Sequence, residues 1–258
     1  MIDYLLNHFD QLLAGMAATA VVVFVCLFFV DAGYGKFYTR KWGPSVGNKL
    51  GWVLMEAPVF ALMLVFYIAW ADKTAVVPLV FLLLFELHYF QRAFVFPLML
   101  KGHSRMPLAI VLMGMLFNSL NALMQGGWLF RLAPADRYTL EWLGTPQFIA
   151  GTVLFLAGMA VNLHSDHVVR QLRRPGDSRH YLPDKGLYRY VTSANYFGEL
   201  VEWCGFALLT LSWSGAVFAL WTFANLAPRA WRIHQRYERD FPDEMAARPR
   251  KCLIPFVW

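Results

Sequence analysis

Charge is scarce in this chain. Only 16% of its 258 residues are Asp, Glu, Lys or Arg, against 58% hydrophobic and 17% aromatic. Polarity this low excludes an intrinsically disordered protein. Cysteine is scarcer still. Cys26, Cys204 and Cys252 stand far apart and form no CxxC pair, so neither a disulfide framework nor a cysteine-based metal centre is expected. There is no HExxH or repeated histidine box. His164, Asp166, His167 and His180 lie within one stretch, but His8, His88, His103 and His234 are scattered, and no metal is expected. No GxGxxG follows a strand and no GxxxxGK[ST] is present, so a bound dinucleotide would not be held by a Rossmann domain. The opening MIDYLLNHFD lacks a basic segment ahead of its first apolar run, which argues against a cleaved signal peptide. No internal repeat or low-complexity tract is evident.

What the chain does have is long apolar runs, seven of them, at about 12–30, 51–70, 76–99, 107–124, 146–164, 195–212 and 216–230. They predict an all-α integral membrane protein of one seven-helix domain over residues 1–258. The net charge of +6 is unevenly placed. Segments 31–50, 101–106 and 165–194 and the tail 229–258 hold 19 of the 23 Lys and Arg. Basic residues concentrate on the cytosolic side, so the expected orientation is N-terminus out and C-terminus in. That explains the basic excess without a nucleic-acid partner and leaves it available to lipid headgroups or an anionic cofactor.

The scarce polar groups sit on the apolar runs in ordered stripes. Asn162, Asp166, Arg170 and Arg173 recur every three or four residues, hence on one helical face; Asn195, Glu199 and Glu202 repeat the pattern after the Pro175-Gly176 break. Ionisable groups at the centre of membrane helices cost about 2.5–3.5 kcal/mol each on insertion scales unless paired or wetted. Two such stripes point to a polar ligand held between helices; mutual salt bridges that only join helices are the plainer reading. Trp52 and Glu56 share a face one turn apart, just ahead of Pro58. As a neutral acid Glu56 could donate to a ketone oxygen, or it could bond a neighbouring helix near the proline. Glu86, Tyr89 and Arg92 follow at three-residue spacing, with Tyr89 read as an acid, a donor or an interfacial tyrosine. Asn118, Asn121 and Gln125 read as helix-joining amides. Arg229, Arg232 and Arg236 share a face in the tail.

Three strings, GMAVNLHSDHVVRQLRRPG, KGLYRYVTSANYFGELVEW and the ending KCLIPFVW, together with DAGYGK at 31–36, Glu56 before Ala57-Pro58, and LHYFQRAFVFP, resemble the steroid 5α-reductase family in the same order over nearly the whole chain. The resemblance implies a seven-helix, NADPH-dependent membrane oxidoreductase; a monomer is expected. It would act on the 4,5 double bond of a lipophilic 3-oxo-Δ4-steroid, with its cofactor site facing the cytosol of a bacterial inner membrane or an endoplasmic reticulum. By matched position it implies Glu56 and Tyr89 as the catalytic pair on the substrate ketone, with Trp52 walling the substrate. Asn162, Asp166, Arg173, Asn195 and Glu199 would contact NADPH, with Arg92, Arg105, Arg229 and Tyr237 as further cofactor contacts. Tyr181 stands where the family often has arginine. Other lipid enones, enoyl thioesters and polyprenols are alternative substrates. An S-adenosylmethionine-dependent membrane methyltransferase is the alternative from another class, although here Ser193-Ala194-Asn195 replaces that family's Arg-His-Pro.

Overall fold

The computed structural model describes residues 1–30, 33, 35, 38–101, 104–172 and 181–258. It is mainly helical. The elements are α1 (Ile2–Asn7), α2 (Phe9–Cys26), β1 (Ser45–Gly47), α3 (Asn48–Trp70), α4 (Val76–Phe90), α5 (Phe96–Met99), β2 (Arg105–Pro107), α6 (Leu108–Gly127), α7 (Pro146–Gln171), α8 (Ala194–Thr210), α9 (Trp213–Asp240) and α10 (Pro242–Ala247). Five helical stretches are long and apolar enough to cross a membrane: Phe9–Cys26, Asn48–Trp70, Val76–Met99, Leu108–Leu132 and Pro146–Gln171. Their outward faces keep large apolar side chains exposed, among them Val22 on α2, Ile68 on α3, Leu83 on α4, Leu116 on α6 and Val153 on α7. A helix apolar on every side belongs in lipid. The sixth and seventh runs are helices too, but α8 is only 17 residues long and the 28-residue α9 runs on into the basic tail. The polar side chains Asn195, Glu199 and Glu202 on α8, and the arginines of α9, account for their weaker apolar signal.

The chain groups into two compact units. Unit 1 comprises 1–16, 31–149 and 212–214; unit 2 comprises 17–30, 150–211 and 215–258.

In unit 1, the antiparallel pair β1–β2 (Ser45↔Pro107, Gly47↔Arg105) sits just ahead of α3 and α6 and starts both helices at one level. The two therefore run side by side in the same direction. Gly51 meets Met106, Gly114 meets Met55, and Gly126 meets Phe66 and Met63, in ascending order along both helices. The tight turn at 71–75 sends α4 back the other way. Asp72 Oδ1 accepts from the Thr74 N–H at 2.8 Å and from its hydroxyl at 2.7 Å, and Lys73 Nζ donates to Tyr67 O in the last turn of α3 at 2.7 Å and to Ala71 O just past its end at 2.5 Å. A cation at a helix C-terminus is favourable on both hydrogen-bonding and dipole grounds. Beyond α4 the helix widens to a π turn at Gln91–Val95 before α5. Pro97, which has no N–H to give the Ala93 carbonyl, is the local cause.

In unit 2, α7 and α8 pack antiparallel with their backbones touching. A Cβ on Gly158 would fall 2.6 Å from Gly198 O, and one on Gly198 would fall 2.8 Å from Gly158 O. Gly151 and Gly205 repeat this two turns away, at 2.7 and 2.8 Å. Small residues at such spacing let membrane helices approach closely. The C-terminal tail is tied to the segment ahead of α8: Lys251 N–H donates to Tyr190 O at 2.8 Å, and Thr192 N–H donates to Lys251 O at 2.9 Å. Arg250 reaches the Pro183 carbonyl.

Candidate active site

Unit 1 gathers a ladder of polar groups inside apolar helices. Asn118 of α6 donates through Nδ2 to Glu56 Oε2 of α3 at 3.0 Å and to the Met55 carbonyl at 2.7 Å. One turn on, Asn121 Nδ2 donates to the Tyr89 hydroxyl oxygen of α4 at 3.2 Å. Gln125 Nε2 donates to Asn121 Oδ1 at 3.3 Å and to Ser214 O at 3.0 Å. Each bond fixes the next group. Ser214 holds Gln125, Gln125 turns the Asn121 amide, and that amide presents its NH₂ to the phenol. Because the Tyr89 oxygen accepts from Asn121, its own proton is directed away from Asn121. Tyr89 is 3% exposed and its ring packs 4.7 Å from that of Phe85, tilted by 35°. The amides of Asn118 and Asn121 thus join α6 to α3 and α4 through Glu56 and Tyr89.

The π turn places Arg92 against aromatic rings. Its guanidinium carbon lies 4.7 Å from the ring centroids of Trp52 and Phe96, which themselves meet edge-to-face at 5.2 Å. Such cation–π contacts contribute about 0.5–2 kcal/mol. Trp52, Arg92 and Phe96 therefore pack as one group in unit 1. Arg105 lies on β2, where its Nε donates to Ser45 Oγ at 2.8 Å and a terminal nitrogen reaches the Ser45 carbonyl.

Unit 2 gathers a second set. Asn162 Nδ2 donates to the Asn195 carbonyl at 2.9 Å. Asn195 Nδ2 donates to Asp166 Oδ1 at 3.1 Å, and its Oδ1 accepts from the Tyr188 hydroxyl at 3.3 Å. The glycine crossing makes this possible, since Gly198 packs its α-carbon on the Asn162 backbone. Burial, then the neighbouring charge of Asp166, pushes the Tyr188 phenol well above its ordinary range, so it stays a proton donor. Tyr237 and Tyr196 also act on Tyr188 electrostatically, which draws Tyr237 into the same cluster. Arg229 Nε donates to the Tyr196 hydroxyl at 2.7 Å.

The sequence model of the 3-oxo-5-alpha-steroid 4-dehydrogenase family matches residues 104–258. The chain is also similar over nearly its full length to curated proteins: 41% identical to 3-oxo-5-alpha-steroid 4-dehydrogenase 1 of Mus musculus, covering 92% of each chain. It is 37% identical to the Homo sapiens protein of that name, covering 96% of each, and 36% identical to steroid 5-alpha-reductase DET2 of Gossypium hirsutum, covering 97% of that protein. The chain belongs to this family.

In this family member the structure brings together Trp52, Glu56, Tyr89 and Arg92 in unit 1, and Asn162, Asp166, Asn195 and Tyr237 in unit 2. Glu199, on the same stripe of α8 as Asn195, is half-buried, and Arg229 enters through Tyr196. Arg173 and His180 lie outside the described residues. Among the described residues no group of three His, Cys, Asp or Glu is arranged to hold a metal ion. His164 packs its ring on Gly186, and His167 Nε2 lies 2.7 Å from the Gln171 amide nitrogen. Two residues that the stripes did not single out enter the clusters, Tyr188 and Tyr196. Both flank the Asn195 stripe in sequence, but neither lies on its helical period.

The unit 2 set carries the group types that a nicotinamide cofactor would need: carboxylates at Asp166 and Glu199 able to accept from hydroxyls, side-chain amides at Asn162 and Asn195, and the arginines of α9.

Proposed function

We propose that the protein reduces the 4,5 double bond of 3-oxo-Δ4-steroids with NADPH. The observation that carries this reading is the pair of acid groups, Glu56 and Tyr89, each held by its own α6 amide inside an apolar helix cluster. NADPH, when bound, would supply the hydride that adds to C5 of the steroid. As that bond forms, negative charge moves to the 3-keto oxygen. Tyr89 donates its hydroxyl proton to that oxygen in a hydrogen bond, and Glu56, as the neutral acid, donates a second. Donors fixed beforehand stabilise the enolate more than the ketone, which is what accelerates the step. Asn118 and Asn121 hold the donors so that little reorganisation is needed. Trp52 and the surrounding aliphatic side chains exclude water and receive a lipophilic ring system. A proton reaching C4 from water completes the reduction.

Asn162, Asp166, Arg173, Asn195 and Glu199 hold the cofactor in this reading, with Arg92, Arg105, Arg229 and Tyr237 as further contacts. The protein works as a monomer of one seven-helix domain, N-terminus out and C-terminus in, with α8 and α9 as its sixth and seventh spans. The concentration of Lys and Arg in 31–50, 101–106, 165–194 and 229–258 supports that orientation and a cytosolic cofactor side.

The test is NADPH consumption by purified protein in detergent with progesterone or testosterone, the product identified by mass spectrometry. The expected product has gained two hydrogens at the 4,5 bond. NADPH binding without turnover would redirect the substrate assignment to another lipid enone. Absence of both would overturn the reading.

A further inference from the structure

Two buried polar groups in unit 1 are left over by the ketone-binding pair. Glu86 of α4 is 7% exposed, and both of its carboxyl oxygens are enclosed without a hydrogen-bond partner among the described residues. Gln125 of α6 is fully buried; its Nε2 donates twice, while its Oε1 is likewise enclosed without a partner.

Helix register puts these groups at one level. α3 and α6 run in the same direction and α4 runs against both, so α4 packs on the far end of α6 at Trp128–Leu132. The Tyr89–Asn121 bond sets the level between α4 and α6. From that bond, Glu86 is three residues back along α4 and Gln125 four residues on along α6. At 1.5 Å per residue, both lie about 5 Å further in the same direction. Side chains three or four apart share a helical face, so Glu86 follows Tyr89 and Gln125 follows Asn121 on the faces that already meet.

The chemistry of the two groups defines what can join them. Gln125 Oε1 only accepts. A carboxyl accepts, and in its neutral form donates as well. A hydroxyl satisfies both at once, donating to Gln125 Oε1 while bonding Glu86 through its oxygen or, for water, its second proton. An apolar ligand would satisfy neither. We propose that Glu86 and Gln125 form a subsite for a hydroxyl group, one helical turn beyond the ketone-binding pair, filled by an alcohol of the substrate or by a resident water. This rests on the assignment of Glu56 and Tyr89 to the ketone. The subsite also couples to catalysis: a hydroxyl on Oε1 fixes which way the Gln125 amide faces, and that amide orients Asn121 and hence Tyr89.

The experiment compares wild type, Glu86→Leu, Glu86→Gln and Tyr89→Phe on a 3-oxo-Δ4-steroid and on analogues each bearing one added hydroxyl, reading kcat and KM separately. If the hydroxyl comes from substrate, one analogue exceeds the parent by about tenfold or more in kcat/KM, and Glu86→Leu erases that margin. If it is water, no analogue gains, but Glu86→Leu lowers kcat several-fold on every substrate at unchanged KM, and Glu86→Gln, which keeps a donor and an acceptor, restores it. Wild-type kcat and KM for Glu86→Leu on the whole panel overturns the proposal. Glu86→Met, read the same way, replaces the leucine variant should that fail to fold. A Tyr89→Phe enzyme that turns over normally strikes the ketone assignment itself. A slowed Tyr89→Phe beside unaffected Glu86 variants strikes only the subsite.

Discussion

The two units hold their polar groups by different kinds of packing. In unit 1, α3 and α6 meet through side chains, with the thioether of Met55 filling the space over Gly114 and Phe66 and Met63 lying over Gly126. In unit 2, α7 and α8 meet backbone to backbone at Gly151, Gly158, Gly198 and Gly205. Side-chain packing yields, because a methionine can change rotamer; backbone packing does not. The polar contacts follow suit. Glu56 and Tyr89 are held by long amide side chains, whereas Asn195 is held partly through its own carbonyl. Under the proposed function, the yielding arrangement would take the lipid rings and the rigid one the cofactor.

The sharpest way to break this comparison is to remove the donors of unit 1. Tyr89→Phe should lower kcat by about 10²–10³ with NADPH affinity unchanged, as loss of one fixed donor to a developing oxyanion does elsewhere. Glu56→Gln should also lower kcat, by less, since an amide can still donate. Unchanged turnover in both variants, measured at saturating NADPH, would remove the pair from the chemistry. The second test sets the glycines against each other. Gly158→Ala puts a methyl group against backbone atoms of α8 and should cost about 1–3 kcal/mol or more; Gly114→Ala meets only the Met55 side chain and should cost less than about 1.5 kcal/mol. Thermal unfolding in detergent measures both, and equal losses would erase the distinction between the units.

Much of this arrangement is legible in the sequence. Period and hydropathy give the helices, and the three- and four-residue spacings give the stripes carrying Asn162, Asp166, Asn195 and Glu199. What spacing cannot give is partnership across helices. Asn118 and Asn121 read as generic amides because their partners, Glu56 and Tyr89, are some 30 to 60 residues away in the chain. The glycines of α7 and α8 carry a signal, two in each helix seven residues apart, but a glycine pattern shows only that something approaches, not what. Tyr188 lies in the turn at Gly186–Arg189, where no helical period applies. The 17-residue α8 shows the opposite limit: the polar side chains that mark it as a candidate site also weaken its signature as a membrane span.

A subtler separation comes from the amides. Asn195→Ala removes the acceptor for Tyr188 and the donor to Asp166 together. It should weaken NADPH binding about tenfold, or about 1.4 kcal/mol, with a smaller change in kcat once cofactor saturates. Asn121→Ala removes only the group that orients Tyr89, so its loss should appear in kcat while NADPH affinity holds. Isothermal titration of NADPH with steady-state kinetics on both variants decides the matter. If both shift the same parameter, the two polar sets do not act separately.

The smallest expected effect lies in the turn between α3 and α4, outside either polar set. The Thr74 N–H, then the Thr74 hydroxyl, hold the Asp72 carboxyl below its ordinary value of 3.8. A carboxylate whose folded value is depressed favours the folded protein at pH above its unfolded value, and that favour fades as pH falls through the folded value. Asp72→Asn should therefore lower the unfolding temperature slightly at neutral pH, and the gap from wild type should close as the buffer is taken from about pH 5 to about pH 3. The side chain is fully exposed, so the gap stays small. A gap that is constant across this range would mean that the loss in the asparagine variant does not come from the charge of Asp72.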